Sequence, residues 1–590
     1  MAFNDYYKEE LITLRNDGAE FSKKNPGLST YLSKEGQDPD VERLLEGFSF
    51  LTGRLKQNLN EELPEVAHTL VQLLWPNYVK PTPSYSIIQY DSIKDSTENS
   101  HIKKHTEVLS KINSSKTQCK FRTIYDIDVM PFMLKNINYF IHGKKSTLEL
   151  NMNMTASGTL KDLVFKDLRV YLSGSKFIAQ NLYLFLTKFI ERIEISINNV
   201  DNKSIYNINI DNNSITPVSF DLKNNMTPYS SNLFDGYILL QEYFSYKDKF
   251  LFLDFKNLSQ IENIPTEILE NSKNFTIKIE FKESLSRSEI PDKSNFSLYC
   301  TPIINLFETD SIPIRKNEEI EEFLVVPSDL NKDACEVFSI QNVRGWISNK
   351  KTYQDYLPFE SFEHIDEENE YYSSRVKLTS DGKRTNTYLR FSTAKGRENN
   401  FLTSNSTVSV KILCTNLNIP STLLLEDICV PSASSSNSLS FKNITIPTIS
   451  YPPPINGDFL WKIISNMSLN YLSLKDIKAL RTILETHDFF GAFDIKQKDK
   501  TNMILKGIES ISFTTAELID KGLPIRGMNI SLVIEPSNFS CIGEAYLFCS
   551  VLNEFFSLYG NINSFHRLTI NMKNEYLIEW VPRMGSLTLI

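Results

Sequence analysis

The sequence predicts an α+β multidomain protein with an N-terminal helical segment, β-rich middle domains and a mixed α/β C-terminal domain. Its 590 residues exceed the length that one hydrophobic core usually organises. The first 83 residues carry apolar side chains at helical spacing, and short segments of alternating apolar and polar residues follow Ser84. These changes of pattern predict domains at residues 1–83, 84–300, 301–450 and 451–590, the third ending in a Ser/Pro-rich linker.

The N-terminal segment contains two apolar stripes that are typical of amphipathic helices, because steps of three and four residues bring side chains onto one helical face. The first stripe consists of Tyr7, Leu11, Leu14, Gly18 and Phe21. Asp38 and Pro39 then form a suitable helix start. The second stripe consists of Val41, Leu44, Phe48, Leu51, Leu55 and Leu59. A further short helix is predicted after Pro64, and prolines from Pro76 onward end it.

Each stripe requires an apolar partner surface. The two helices can pack on each other within one monomer, or they can enter a bundle with other chains. We favour the second interpretation, chiefly on the family resemblance described below. The predicted partner interface consists of Tyr7, Leu11, Leu14, Phe21, Val41, Leu44, Phe48, Leu51, Leu55 and Leu59.

The middle of the chain is predicted to be β-rich with inserted helices. Alternation predicts strands at residues 86–90, 120–125, 147–152, 168–172, 192–197 and 275–281, and a helix is predicted at 181–189. In the second β-rich region, strands are predicted at 322–327, 337–340, 388–391 and 408–414. Six serines among residues 432–440, followed by several prolines, predict a loop or linker.

The C-terminal region mixes both periodicities. Helices are predicted at residues 459–465 and 475–485, and a strand at 525–535. Residues 545–559 are apolar nearly all round, which predicts a helix that is buried on more than one side.

Composition excludes several function classes. The formal net charge of −9 gives no electrostatic footprint for nucleic acid. The seven cysteines lie far apart without a CxxC pair, so they do not indicate a disulfide framework. No signal peptide and no apolar run of membrane-spanning length is present. We therefore expect a soluble cytoplasmic protein without direct membrane insertion.

The candidates for chemistry are weak. His101 and His105 are four residues apart and could share a helix face as metal ligands, but lysines flank them. His487 and Asp488 could serve a thiol nucleophile at Cys541 or Cys549, although nothing in the sequence places them together. No Walker loop, HExxH or GxSxG motif occurs. We expect no catalytic residue, no cofactor and no metal.

Several blocks of the sequence resemble the TssF family, whose members are baseplate subunits of the bacterial type VI secretion system. The N-terminal blocks are DYYKEELITLRNDGAEFSKKNP, DPDVERLLEGFSFLTGRL and LPEVAHTLVQLLWPNYVKPTPS. The later blocks, in the family's order, are FDGYILLQEYFSYKDKFLFLDF, CTPIINLF, CTNLNIP, WKIISNMSLNYLSLKDIKALR, INSF and WVPR. Asn77 stands where the family pattern has His, and His566 where it has Thr.

The resemblance implies a structural subunit and not an enzyme. In the family, two TssF copies and one TssG form the core of a baseplate wedge, and TssK attaches to TssG. Six wedges surround the VgrG hub, and TssE connects the wedge to the contractile sheath. The implied location is the bacterial cytoplasm, at the cytoplasmic side of the inner membrane once the baseplate is assembled.

Alternative functions remain open. The chain could be a wedge protein of another contractile injection system or of a phage tail. From other classes, it could be a secreted glycan-acting enzyme, which would need a cleft with paired carboxylates, or a stand-alone binding module.

Overall fold

The structure is a computed structural model that describes most of the chain. The described residues are 7–8, 11–15, 40–41, 43–54, 70–72, 75–94, 96–112, 116–198, 204–229, 234–316, 320–328, 334–347, 352–359, 370–379, 382–393, 406–433, 435, 439–455, 463, 476–520, 522–560, 562–573 and 576–585.

The chain forms two compact units. The first unit comprises Met1–Val79, Leu378–Lys383 and Pro454–Ser468, and the second comprises Lys80–Lys377, Arg384–Pro453 and Leu469–Ile590. Within the described part of the first unit, residues 7–8, 11–15, 40–41, 43–54, 70–72 and 463 are α-helical and Pro76–Val79 form a 3-10 helix. The helical state predicted for the two apolar stripes is thereby confirmed where they are described.

The first half of the second unit consists mainly of strands. The strands to residue 304 are β1 Tyr85–Tyr90, β2 Ser100–Ile102, β3 Glu107–Ile112, β4 Gln118–Thr123, β5 Ile127–Val129, β6 Phe132–His142, β7 Lys145–Met154, β8 Leu168–Leu172, β9 Ile190–Asn198, β10 Ser204–Ile210, β11 Ile215–Pro217, β12 Phe252–Phe255, β13 Asn274–Phe281, β14 Phe296–Leu298 and β15 Cys300–Ile304. Helices α1 Lys176–Lys188, α2 Asp235–Ser245 and α3 Thr266–Glu270 are inserted among them.

The chain after residue 304 continues with strands and ends in a region that combines strands and helices. Its strands are β16 Phe307–Asp310, β17 Ile314–Arg315, β18 Phe323–Leu324, β19 Glu336–Ile347, β20 Thr352–Pro358, β21 Glu370–Leu378, β22 Thr385–Thr393, β23 Ser406–Thr415, β24 Ile428–Pro431, β25 Phe441–Asn443, β26 Ile508–Asp520, β27 Leu523–Ile534, β28 Phe565–Met572, β29 Tyr576–Glu579 and β30 Arg583–Met584. Helices α4 Ile477–Thr486, α5 Ile495–Lys506 and α6 Ile542–Tyr559 accompany the last strands.

The strands assemble into several separate sheets. Their orders are β24-β3-β4-β15-β1-β25, β10-β9-β13-β7-β6, β11-β12-β8-β14, β16-β23-β19-β20-β21-β22-β18 with β17 on β23, β2-β5, and β26-β27-β28-β29 with β30 on β28. The first sheet pairs segments that are very distant in sequence, since Ile88 of β1 lies opposite Asn443 of β25. Its strands come from both sides of the predicted boundary at 300/301. The predicted domain limits stay a prediction.

The strand β23 shows why alternation is a reliable signal in this chain. Val408, Val410, Ile412 and Cys414 recur at every second position and are fully buried in the core of the eight-stranded sheet. Residues two apart on a strand point to the same face, so the apolar set is directed inward. The strand predicted at 408–414 is therefore confirmed and extended by one or two residues at each end.

The helix α6 is the centre of the second unit's mixed region. Tyr546 of α6 contacts Tyr183 of α1, with ring centroids 6.0 Å apart, and Phe548 contacts Tyr243 of α2 at 5.9 Å. Other α6 side chains lie against β28. Burial on more than one side, predicted for 545–559, is confirmed, since its apolar residues from Ala545 to Phe556 are fully or almost fully buried.

Some predicted elements need correction. The strand predicted at 322–327 is reduced to the two residues of β18, and the helix predicted at 181–189 begins earlier, after Ser175. The Ser-rich stretch at 432–440 connects β24 and β25, which belong to the same six-stranded sheet. The helix predicted at 459–465 lies outside the described residues except for Ile463, which is helical.

Candidate partner interface

The helical residues 43–54 expose four large apolar side chains, three of them on one face and the fourth, Phe50, away from it. Leu44, Phe48 and Leu51 are 72%, 55% and 66% exposed. Their spacing of four and three residues places them on one side of the helix. We call these three residues the exposed stripe. A contiguous exposed apolar face of this kind is typical of a surface that another element covers in an assembly.

The opposite side of the same helix is buried through small residues. Ser49 is fully buried, and its hydroxyl donates to the carbonyl oxygen of Leu45 at 2.7 Å, so the buried polar group is satisfied. Gly53, one turn later, is also buried. An amphipathic helix of a monomer normally buries its large apolar residues and exposes its small polar ones. In this helix Ser49 and Gly53 are buried, whereas Leu44, Phe48 and Leu51 are exposed.

The other residues of the predicted interface are less informative. Tyr7, Leu11, Leu14 and Val41 are partly buried. Phe21, Leu55 and Leu59 lie outside the described residues. Among the described residues of the predicted interface, only Leu44, Phe48 and Leu51 of the second stripe are largely exposed. Which partner these residues contact stays a prediction.

The histidine pair proposed as metal ligands does not share a helix face. His101 lies on β2, where its Nδ1 is 2.9 Å from Oδ1 of Asp128, and His105 lies in a turn with φ of +64°. Burial raises the pKa of Asp128, but hydrogen bonds from Lys166 and His101 outweigh this effect and keep it below its usual value. Among the described residues, no group of three His, Cys, Asp or Glu could hold a metal ion.

The thiol candidates lack the properties of a nucleophile. Burial raises the pKa of the Cys541 thiol to about 11 and that of Cys549 well above its usual value. A nucleophilic cysteine needs the opposite shift. Burial lowers the pKa of His487 to about 4, and its Nδ1–H donates to the carbonyl oxygen of Ile483 at 2.7 Å. Cys541 instead caps α6, since its sulfur accepts from the Glu544 amide at 3.3 Å.

The structure contains buried ion pairs that the sequence analysis missed. Glu242 of α2 pairs with Lys249, and both are almost fully buried. Glu544 of α6 pairs with Lys247 at 3.0 Å. Burial raises the pKa of Glu544, but Lys247 and the Ser540 amide outweigh it and lower the value to about 2. The sequence signal that could have revealed the second pair is Glu544, a glutamate within the largely apolar helix α6. These pairs connect α2, the following turn and α6, which indicates a structural role.

Comparison with known proteins decides the family. The family described as Type VI secretion system, TssF, matches residues 1–587. The chain belongs to the TssF family. TssF is a baseplate subunit of the type VI secretion system, and the resemblance drawn from the sequence blocks is confirmed. Membership in a family of structural baseplate components agrees with the thiols and histidines described above, which serve packing and capping.

Relatives of the TssF family cover the full length of the chain. The type VI secretion system component TssF1 of Pseudomonas aeruginosa is 25% identical over 638 aligned positions, covering 99% of this chain and 98% of that protein. A cryo-electron microscopy structure of the TssK–TssF–TssG baseplate subcomplex matches with a TM-score of 0.75 and 25% identity, covering 92% of this chain and 99% of its own.

A second solved structure shares the fold of this TssF-family chain. It is a baseplate complex from the type VI secretion system, with a TM-score of 0.64, 20% identity and complete coverage of both chains. Among the helices in the described part of the chain, none combines the length and the apolar composition needed to cross a bilayer.

Proposed function

We propose that the exposed stripe enters a helix bundle shared with other baseplate subunits, so that this chain acts as a structural subunit of the baseplate wedge. The observation that carries the proposal is the exposure of Leu44, Phe48 and Leu51 on a helix whose opposite side buries Ser49 and Gly53. Covering one such side chain contributes about 1.5–3 kcal/mol. Three of them form a sufficient centre for a stable helix–helix contact.

The proposed partners follow from family membership. We infer that two copies of this chain assemble with one TssG, that TssK attaches to TssG, and that neighbouring wedges, TssE and VgrG complete the baseplate. The TssK–TssF–TssG subcomplex that this chain resembles supports the first part of this inference. The proposed location is the bacterial cytoplasm, at the cytoplasmic side of the inner membrane after assembly. The role requires no catalysis and no cofactor.

Co-expression with the cognate TssG tests the proposal. The double substitution Leu44→Asp and Leu51→Asp should weaken association more than about 100-fold, because it removes about 3–6 kcal/mol of apolar burial. Native mass measurement should then show the loss of a 2:1 species. Arg43→Asp is the matched control, since the Arg43 side chain is 80% exposed on the same helix and should be dispensable.

Two results would contradict the proposal. If the double variant still forms the 2:1 species at wild-type yield, the exposed stripe is not part of the bundle. If the unmodified chain stays a monomer in the presence of TssG, a stand-alone binding module becomes the better description.

A further inference from the structure

The hairpin of β26 and β27 extends beyond its own sheet. The two strands pair continuously from Ile508↔Ile534 to Asp520↔Leu523, and Gly522 forms the turn with φ of +82°. The next strand, β28, pairs with β27 only from Gly527 onward. The distal third of the hairpin, from Glu517↔Arg526 to Asp520↔Leu523, is therefore a two-stranded arm, because no third strand supports it within the described part of the chain.

The outer edge of β26 is open along this arm and along the three residues before it. Within the described residues, β26 pairs with β27 and with no other strand, and no backbone hydrogen bond reaches the outer side of residues 514–519. Thr514, Thr515, Glu517 and Ile519 are exposed, the last to 78%. Six residues at about 3.4 Å each provide an edge of roughly 20 Å. Such an edge presents unpaired N–H and C=O groups to any extended chain.

Apart from the charge of Glu517, the edge lacks the devices by which proteins protect exposed strands. Lysine, proline, local bulges and short length are the usual ones. β26 has 13 residues without lysine, arginine or proline, and its register shift lies at the base, between Ile508 and Ser510. By contrast, the edge strand β6 carries Lys135 and a register shift beside it, and β29 at the other end of this sheet has four residues.

We propose that residues 514–519 of β26 accept an extended segment of another baseplate subunit as an additional β-strand, and that this segment carries lysine or arginine. The inference rests on the proposed function. Main-chain hydrogen bonds would supply the affinity, as in other cases of strand addition. The side chains of Leu518 and Ile519 would offer alternating apolar contacts on the two faces of the arm.

Charge decides between a foreign strand and a second copy of this chain. β26 contains Glu509, Glu517 and Asp520 and no basic residue. Antiparallel self-pairing centred on residues 514–519 would bring the Glu517 residues of both copies beside the two-fold axis, and like charges so placed repel. Arg526 is 3.9 Å from Glu517, but its side chain is 92% exposed, so water screens this pair. A basic segment could instead pair with Glu517, the only charged residue within 514–519.

Hydrogen exchange on the full chain tests the proposal, with and without co-expressed TssG and TssK. The outward amides of residues 514–519 should exchange rapidly in the free chain and at least about tenfold more slowly in the complex. A complex that forms without slower exchange overturns the strand addition and leaves the proposed function intact. Failure of any complex to form overturns both. Slow exchange in the free chain together with a dimer mass identifies a second copy as the occupant and overturns the foreign strand.

Variants separate the two components of the proposal. Adjacent strand residues direct their amides to opposite edges of the strand. Of the two variants Thr514→Pro and Thr515→Pro, one therefore removes an N–H donor on the open edge and the other removes an N–H donor to β27. The variant that keeps wild-type protection of β27 should lose the slow exchange in the complex. Glu517→Lys should also abolish the slow exchange of residues 514–519 in the complex, and Glu517→Gln should reduce it partially. Glu579→Lys, on the opposite edge strand β29, should leave that exchange unchanged. Unchanged exchange in Glu517→Lys overturns the basic segment.

Discussion

At the scale of single residues, burial controls the ionisable groups of this chain. Where a charge is buried, as in Lys249 with Glu242, the partner is close enough to compensate for lost hydration. A buried imidazole without an opposite charge beside it is neutral at pH 7. His566 is such a case: its Nε2–H donates to Oδ1 of Asn553 at 3.1 Å, and its Nδ1 is buried without a hydrogen-bond partner in the described structure.

Acid sensitivity follows from His566. Burial, assisted by Arg583, lowers its pKa to about 4, against about 6.5 in the unfolded chain. Between these values the unfolded state binds a proton that the folded state rejects. The free energy of unfolding should therefore fall as pH decreases through this window, by up to about 1.4 kcal/mol per pH unit for this residue. His487, with a pKa of about 4, adds a second contribution of the same sign.

Urea unfolding at several pH values within this window checks the effect. His566→Gln retains an amide donor for Asn553 and does not titrate, so the slope of its stability against pH should lose the contribution of His566, up to about 1.4 kcal/mol per pH unit. His142→Gln is the control, because that side chain is exposed in the folded chain. An unchanged slope in His566→Gln would show that His566 does not couple folding to protonation.

At the scale of elements, the close approach of α6 to α1 organises the mixed region of the second unit. The amide of Gly543 donates to Oδ1 of Asn181 at 2.9 Å. A Cβ atom at Gly543 would lie 2.2 Å from the carbonyl oxygen of Gln180 and 2.5 Å from the Asn181 amide nitrogen. Both are backbone atoms and cannot rotate away. Glycine is therefore required for the two helices to pack at this distance.

Gly543→Ala should destabilise the second unit by about 3 kcal/mol, because α6 must move away from α1 and lose packing. Thermal unfolding followed by circular dichroism measures the change. The control is Gly560→Ala at the other end of α6, where an added Cβ would lie 3.4 Å from its nearest neighbour, an ordinary contact. Equal stabilities of the two variants would contradict the tight crossing.

At the scale of the whole molecule, the division into two compact units separates the exposed stripe from the β-rich framework. All the strands β1–β30 and helices α1–α6 belong to the second unit, except the last residue of β21, Leu378. That unit has its own buried cores, including the α6 region and the interior of the eight-stranded sheet. A unit with its own core is expected to fold independently.

Deletion of residues 1–79 should leave the second unit folded and remove assembly. The truncated chain should keep the strand signal in far-ultraviolet circular dichroism and a cooperative melting transition. It should lose co-purification with TssG, because the exposed stripe is absent. Light scattering after gel filtration and pull-down measure both properties. An aggregated product would disprove independent folding, and retained association would place the TssG contact elsewhere.

Local periodicity was sufficient to predict many elements. The strand at 408–414 was recognisable because burial of one face leaves an apolar residue at every second position. The apolar segment within α6 was recognisable because burial on all sides leaves a nearly continuous apolar run. The start of α1 was missed, because Gly174 and Ser175 set it through backbone conformation and leave no apolar period. The apolar spacing of the exposed stripe was likewise visible in the sequence.

Only the tertiary structure decided how these elements combine. The pairing of β1 with β25, whose registered residues Ile88 and Asn443 are 355 positions apart, depends on which cores close together and not on local preference. The same holds for the exposure of Leu44, Phe48 and Leu51. An apolar periodicity shows that burial of one helix face is favourable. Whether residues of the same chain bury that face depends on tertiary packing.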